Sequence, residues 1–204
     1  MPDTLVSCNA DTLVILDFET TGLSPNNGDR AIEIGAVLIE QGRITDRFQQ
    51  LMNPQQRISP FIESYTGISN AMLQQAESCE QVMAEFADFI DGYNLVAHNA
   101  SFDQRFLDAE LNSIGRSYTG SFACSMLAAR RLYQQAPNHK LGTLVAYKNL
   151  PTEGVYHRAL ADAEMTAHLW IRMLDDLDQR FSRRQVPFTL MQKLAKTPKG
   201  AVSK

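Results

Sequence analysis

Apolar residues show two different spacings along the chain, and each spacing predicts a different kind of secondary structure. Before residue 55 they form near-continuous or loosely alternating runs, which are typical of strands packed in a sheet. Beyond residue 69 most apolar positions recur every three or four residues, which is typical of helices with one buried face. The predicted strands cover 12–19, 31–42, 43–54, 94–99 and a piece that begins at residue 121. The predicted helices cover 69–93, 101–115, 128–133, 139–150 and 160–181.

The order of these elements predicts the fold class. Strands dominate early and alternate with helices later, which favours an α/β protein with a mixed sheet. The turn residues Gln41 and Gly42 predict a hairpin between the second and third strands. Pro54 and Pro60 predict a loop after the third strand.

Composition narrows the class of protein. The chain has 204 residues, of which 44% are hydrophobic and 21% charged, and this suits one globular domain. Its three cysteines are odd in number and far apart, which argues against a disulfide framework or a zinc site. No segment reaches the roughly 18 apolar residues of a membrane span, and no secretory signal is recognisable. We therefore expect a cytoplasmic protein without a membrane partner.

Charge is distributed unevenly along the chain. The net charge is −4, yet residues 179–204 carry seven basic residues and no acidic one, so the remainder carries −11. We predict an α/β domain over 1–180 and a basic tail over 181–204, with a short helix or a docking segment within 185–196. The tail is either an interaction segment or a solubilising, partly disordered terminus. The seven basic residues of 179–204 are Arg180, Arg183, Arg184, Lys193, Lys196, Lys199 and Lys204.

Acidic residues at the end of the first strand raise a question of chemistry. Asp17 and Glu19 are two positions apart, so they point to the same face of a strand. Asp103 lies in the first turn of the helix predicted over 101–115, where a helix N-terminus favours an anion. Each of these acids, taken alone, could equally be an ordinary surface residue. Together they raise the question of what would balance their charge.

A histidine and a fourth acid lie near the start of the last long helix. His157 and Asp162 are five residues apart, so they do not share a helix face. They can converge if His157 is on the loop before the helix, and Pro151 and Gly154 are consistent with a loop there. If the four carboxylates meet, two hard divalent cations, Mg²⁺ or Mn²⁺, would balance their charge. A nearby imidazole could then act as general base.

Three short stretches carry a resemblance to a known family. "DFETTGL", "VAHNASFD" and "HRALAD" resemble, in order, the three motifs of the DEDDh, or DnaQ-like, 3′–5′ exonucleases. "TGISNAML" and "HKLGTL" are similar to flanking family segments, and the resemblance covers roughly residues 11–175. It implies a ribonuclease-H-like fold with a mixed five-stranded sheet and helices on both faces. It also implies a two-metal exonuclease that releases nucleoside 5′-monophosphates from 3′ ends.

The resemblance assigns roles by position. It places the metal ligands on Asp17, Glu19, Asp103 and Asp162, and the general base on His157. The residues that it places near the substrate are Thr20, Thr21, Leu23, His98, Asn99 and Phe102. For His98 a structural role satisfied by hydrogen bonds stays open, and His139 and His168 are expected to be structural.

Substrate and partners remain open at this level. We expect a stand-alone enzyme that acts on single-stranded or frayed DNA 3′ ends, with a proofreading subunit bound to a polymerase or an RNA-trimming enzyme as alternatives. Thr66 stands where replicative proofreading subunits tend to carry histidine, which weakens the proofreading assignment. A catalytically inactive binding module is a further alternative, and the presence of all five motif residues argues against it.

Overall fold

The computed structural model describes residues 8–152, 157–181 and 185–202, and within these ranges it shows helices on both faces of one sheet. The strands are β1 Leu13–Thr20, β2 Ala31–Glu40, β3 Arg43–Asn53, β4 Glu77–Ser78, β5 Leu95–Ala97 and β6 Phe122–Cys124. The α-helices are α1 Pro60–Thr66, α2 Asn70–Gln75, α3 Cys79–Phe89, α4 Ser101–Ser113, α5 Ser125–Leu132, α6 Leu141–Tyr147, α7 Ala159–Phe181 and α8 Phe188–Lys196. No helix in these ranges combines the length and apolar character needed to cross a membrane.

The sheet is mixed, as the sequence predicts, and its order is β4-β3-β2-β1-β5-β6. Strands β1, β2 and β3 are antiparallel, with the predicted hairpin at Gln41 and Gly42, whereas β5 runs parallel to both β1 and β6. The described residues form six strands rather than the expected five, because the two-residue strand β4 adds to the edge beside β3. Strand β1 thus lies inside the sheet, between β2 and β5.

The two faces of the sheet carry separate apolar clusters, and their arrangement fixes the direction of the acidic side chains. Ile15 packs on the face that also buries Trp170 of α7, and Leu16 packs on the opposite face with Phe86 of α3. Because side chains alternate along a strand, Asp17 and Glu19 continue the row of Ile15. The apolar row therefore becomes acidic at the end of β1, on the face covered by α7.

The segment 69–93 is mostly helical, as the sequence predicts, but the short strand β4 divides it into α2 and α3. Ser69 and Ser78 each accept a backbone N–H with the side-chain hydroxyl, from Met72 and Gln81 respectively, and so start two separate helices. Ala76 between them is extended. Two N-caps within ten residues favour two short helices over one long helix.

Helix α1 was not predicted. The sequence marked only a loop bracketed by Pro54 and Pro60, yet Pro60 is the first residue of the helix. Ser59 caps it by accepting the N–H of Ile62, and proline is well suited to the first helical position because it has no N–H to leave unpaired there. This helix forms part of the wall of the candidate site.

Helix α8 packs onto the main body of the protein, whereas the sequence placed the start of the basic tail at residue 181. Phe188 and Met191 are buried in the cluster that contains Trp170. Arg183, Arg184 and Lys204 of the predicted tail lie outside the described residues. The basic residues of α8 are therefore held at a defined place on the surface.

Candidate active site

Three carboxylates meet where β1 ends and α7 begins. Ligand oxygens of Asp17, Glu19 and Asp162 all lie within 4.8 Å of one another. Gly35, opposite Asp17 on β2, makes this approach feasible, since a Cβ there would overlap the backbone of Ala159 and Leu160 at the start of α7. The first turn of α7 therefore lies directly on the sheet and brings Asp162 to the two acids of β1.

Asp103 reaches the same place from the other side of the sheet. It lies in the first turn of α4, is only 2% exposed, and accepts a hydrogen bond from the Phe18 N–H at 3.2 Å. It lies outside the group of three whose oxygens are mutually within 4.8 Å, yet its charge raises the pKa of both Asp17 and Glu19. Asp103 is thus a fourth acid beside the cluster.

Burial and mutual repulsion both disfavour the ionised carboxylates. Burial is the largest cause at each of the four acids: it raises the pKa of Asp17 well above its usual range, that of Glu19 to about 8 and that of Asp103 to about 7. The pKa of Asp162 is also raised, and Arg158 only partly offsets the shift at Glu19. A site with oxygen donors alone and a deficit of positive charge fits a hard divalent cation.

His157 lies beside this cluster, on the segment that precedes α7. Its backbone N–H donates to Asp162 Oδ2 at 2.9 Å, so the predicted convergence of the two residues is present. Its φ is +61°, a left-handed conformation that is uncommon for a non-glycine residue. Its ring lies 3.9 Å from that of Tyr65 on α1. Gly154, which the sequence placed in the preceding loop, lies outside the described residues.

A cavity of about 780 Å³ opens above the carboxylates. All the residues that the sequence singled out for the site line it, namely Asp17, Glu19, Thr20, Thr21, Leu23, His98, Asn99, Phe102, Asp103, His157 and Asp162. Leu23 lies at its edge and is 77% exposed. The cavity combines apolar walls with an acidic floor, which suits a ligand with both a flat apolar part and a phosphate.

Two wall residues use their polar atoms within the protein. His98 donates from Nε2 to the His139 carbonyl at 2.9 Å, and its Nδ1 lies 2.9 Å from Ser125 Oγ. Burial lowers the pKa of His98 to about 4, which keeps the ring neutral at pH 7. Thr66 Oγ1 donates to the Ile62 carbonyl at 2.9 Å and accepts the N–H of Ile68. Neither side chain has its polar groups free for a ligand.

Sequence reasoning missed Glu33, which positions the start of α7. This glutamate is fully buried and lies opposite Glu19 on β2. It accepts Arg158 Nη2 at 2.8 Å, the Ala159 N–H at 3.1 Å and Gln49 Nε2 at 2.9 Å. The only signal in the sequence is an acid inside the apolar run "AIEIGAV", since charged residues are seldom fully buried without a partner.

Sequence reasoning also missed the aromatic side chains that α1 contributes to the cavity. Phe61 is 71% exposed and Tyr65 49% exposed, and their rings stack at 5.8 Å. Tyr65 in turn lies against His157, so the three rings form a column along the cavity wall. The Ser59-Pro60 pair was the signal that could have revealed this helix.

Comparison with known proteins identifies the family. The model of the exonuclease family (RNase_T) matches residues 14–170. The DNA polymerase III PolC-type protein of Caldanaerobacter subterraneus is 40% identical over 166 residues, which are 81% of this chain and 12% of that protein. The 3′-5′ exonuclease DinG of Bacillus subtilis is 35% identical over 199 residues, which are 96% of this chain and 20% of that protein. The chain thus spans a fifth or less of these two curated relatives.

Solved structures show the same architecture. Exonuclease X in complex with 5′ overhanging duplex DNA is 28% identical, with a TM-score of 0.70 over 90% of this chain and 99% of that one. The nuclease domain of 3′hExo, a DEDDh family member bound to rAMP, shares the fold with a TM-score of 0.70 at 24% identity, over 84% of this chain and 94% of that one. With the sheet order and the acidic cluster at the end of β1, these matches confirm the resemblance: the chain belongs to the DnaQ-like DEDDh family of 3′–5′ exonucleases.

Proposed function

We propose that this protein is a divalent-metal-dependent 3′–5′ exonuclease that releases nucleoside 5′-monophosphates from single-stranded or frayed DNA ends. The observation that carries the proposal is the group of three carboxylates within 4.8 Å at the floor of a nucleotide-sized cavity, with His157 beside it. This combination suits hydrolysis of a phosphodiester better than simple binding, because the buried acids would repel a phosphate unless cations were present.

Each residue then has a defined task. Asp17, Glu19, Asp103 and Asp162 would hold two Mg²⁺ or Mn²⁺ ions. When bound, such ions polarise the phosphodiester and lower the pKa of a coordinated water. The His157 imidazole would accept the proton of the attacking water, and its backbone bond to Asp162 keeps it beside the cluster.

The cavity walls are suited to holding the 3′-terminal nucleotide. Leu23 and Phe102 offer apolar surface that can pack on a base without reading its identity. Thr20 and Thr21 lie next to the acids, although Thr20 Oγ1 already donates to the Gly22 carbonyl at 2.6 Å. His98 would contribute the face of its ring, since both ring nitrogens are engaged, and Asn99 lines the same wall.

The similarity to PolC-type polymerases favours a second candidate, a proofreading domain that acts with a polymerase. The complex of Exonuclease X with duplex DNA supports a DNA substrate, and RNA stays the alternative. A time course on matched single-stranded DNA, duplex DNA and RNA would decide the substrate. Faster hydrolysis of the RNA strand would overturn the assignment to DNA.

The first prediction tests the chemistry with a 5′-labelled oligonucleotide. Wild-type protein should shorten it stepwise with Mg²⁺ or Mn²⁺ and stop in excess chelator. His157→Ala should lower turnover by roughly 10²- to 10⁴-fold, because a general base contributes about that much. His168→Ala is the matched control, since His168 lies on α7 and lines a separate cavity with Arg47 and Glu164.

Two outcomes would contradict the proposal. Full activity in chelator would exclude the metal-dependent mechanism. Near-normal turnover of His157→Ala would remove this histidine from the reaction and leave Asp162 as a ligand without a neighbouring base.

A further inference from the structure

Three exposed basic side chains lie on segments that hydrogen bonds join at the end of α5, through Arg131 and Thr197, Gln134 and Lys199, and Tyr133 and His139. Arg130 is in the last turn of α5, Lys140 directly precedes α6, and Lys199 follows α8. Within the described ranges none of the three forms an ion pair with an acidic side chain. We call Arg130, Lys140 and Lys199 the basic rim.

His98 and His139 connect the basic rim to the cavity. His98 lines the cavity and donates from Nε2 to the carbonyl of His139, the residue before Lys140. The charge of Arg130 contributes to lowering the pKa of both histidines, although burial is the larger cause, and Lys199 contributes at His139. His139 therefore joins the cavity wall to the end of α5: its carbonyl accepts from His98, and its Nε2 lies 3.1 Å from the Tyr133 carbonyl.

Packing holds Lys199 in place. Arg131 donates from Nε to the Thr197 carbonyl, and Gln134 donates from Nε2 to the Lys199 carbonyl at 3.1 Å. These bonds join the end of α5 to the segment after α8, and α8 itself is anchored by the buried side chain of Met191. The basic residue therefore projects from a fixed position.

The distribution of charge suggests a purpose for this arrangement. The chain carries +7 over 179–204 and −11 elsewhere, so most of the surface repels a polyanion. Cations held by the carboxylates would offset that repulsion only at the cavity floor. We propose that the basic rim binds the phosphate backbone of the DNA strand whose 3′ end occupies the active-site cavity. This inference rests on the proposed function, and it assigns the path of the strand outside the cavity.

The experiment compares two double variants that each remove two positive charges. The rim variant is Arg130→Gln with Lys199→Gln. The control is Arg43→Gln with Arg116→Gln: Arg43 starts β3 at the end of the sheet away from the carboxylates, and Arg116 follows α4 and pairs with the exposed Asp88. Because both variants lose the same charge, a difference in DNA binding between them reports a local contact rather than the change in net charge.

Binding is measured by fluorescence anisotropy in chelator, with a single-stranded DNA of about 20 nucleotides whose 3′ linkage is a phosphorothioate. Each phosphate contact on a single strand contributes about 0.7 to the slope of log K against log salt. Loss of two contacts should therefore flatten the slope by about 1.4. Between 50 and 200 mM salt, the fall in affinity should then be on the order of sevenfold smaller for the rim variant than for the wild type. The control variant should retain the wild-type slope, and equal slopes for the two variants would overturn the proposal.

Substrate length provides an independent readout in the presence of Mg²⁺. On the long strand the rim variant should show a raised KM and an unchanged kcat. On a dinucleotide, whose only internucleotide phosphate is the scissile one, both constants should match the wild type. A KM increase of the same size on the dinucleotide would indicate a distorted cavity and would contradict the proposed contact between the basic rim and DNA. If even the wild type fails to hydrolyse DNA, the proposed function fails, while the binding slopes still decide whether the rim contacts DNA.

Discussion

The Tyr65 ring lies beside His157, a position that none of the three motifs predicts. Its ring lies 3.9 Å from His157, and it is followed outward by the more exposed ring of Phe61. The His157 backbone is left-handed, and the Tyr65 ring is the aromatic partner of its imidazole among the described residues. We therefore expect Tyr65 to act as a positioning residue that holds the imidazole over the cluster.

Substitutions at Tyr65 test this role. Tyr65→Leu should lower kcat by about 10- to 100-fold, because small misplacements of a reacting group are costly. Tyr65→Phe should keep most of the activity, since the ring makes the contact. Phe61→Leu is the control on the same helix and should leave kcat nearly unchanged. Equal kcat values for wild type and Tyr65→Leu, measured at saturating oligonucleotide, would show that His157 does not depend on this ring.

At the scale of elements, the position of α7 relative to β2 determines whether the site exists. Gly35 allows the close approach, and Glu33 holds Arg158 and the Ala159 N–H at the start of the helix. Glu33 also lies opposite Glu19, and like charges directly opposite one another in a sheet are destabilising. The charge of Glu33 is therefore unfavourable for the carboxylate cluster. We infer that the role of Glu33 is to orient α7.

Glu33→Gln tests that inference, and Glu110→Gln is a matched control. Each glutamate is buried and accepts one arginine and one backbone N–H: Glu33 accepts Arg158 and Ala159, while Glu110 accepts Arg30 and Ala31. Both substitutions should lower the free energy of unfolding, whereas only Glu33→Gln should lower kcat, by about tenfold.

KM should change little in either variant, because neither glutamate lines the cavity. Turnover and chemical denaturation of the two variants provide the measurement. An equal loss of kcat in both would mean that Glu33 acts through stability alone.

For the whole molecule, the cluster couples stability to pH and to metal. Folding raises the pKa of Glu19 from 4.5 to about 8, so the folded state holds a proton that the unfolded state has already released. Where the folded state binds more protons, the free energy of unfolding falls as pH rises. Without metal, stability should therefore decline between about pH 4.5 and 8, and the raised pKa values of Asp17, Asp103 and Asp162 act in the same direction.

Asp17→Asn should remove part of the loss of stability that the carboxylate cluster causes at high pH without metal. In chelator at pH 8 the variant should be as stable as the wild type or more stable by about 1–2 kcal/mol, because a functional site trades stability for activity. In excess Mg²⁺ the order should reverse, since binding to the folded state stabilises the wild type. Urea denaturation under both conditions measures this, and a loss above about 2 kcal/mol in chelator would show that Asp17 is a structural residue.

Features that depend on local spacing could be predicted from the order of residues alone. A period of two places Asp17 and Glu19 on one face of β1, and the turn at Gln41 and Gly42 joins β2 to β3. The three motifs fixed the family and selected the residues that line the cavity. These features can be predicted from the sequence because each depends on residues that are close together in the chain.

The contacts between distant segments become visible only in the folded protein. Glu33 and Arg158 are separated by 125 residues, and no local periodicity indicates that they pair. Tyr65 lies against His157 because α1 folds over the cavity, and the Lys199 carbonyl accepts from Gln134 because α8 packs on α5. Such contacts depend on how apolar faces fill space between elements, and that packing is a property of the whole chain rather than of any segment.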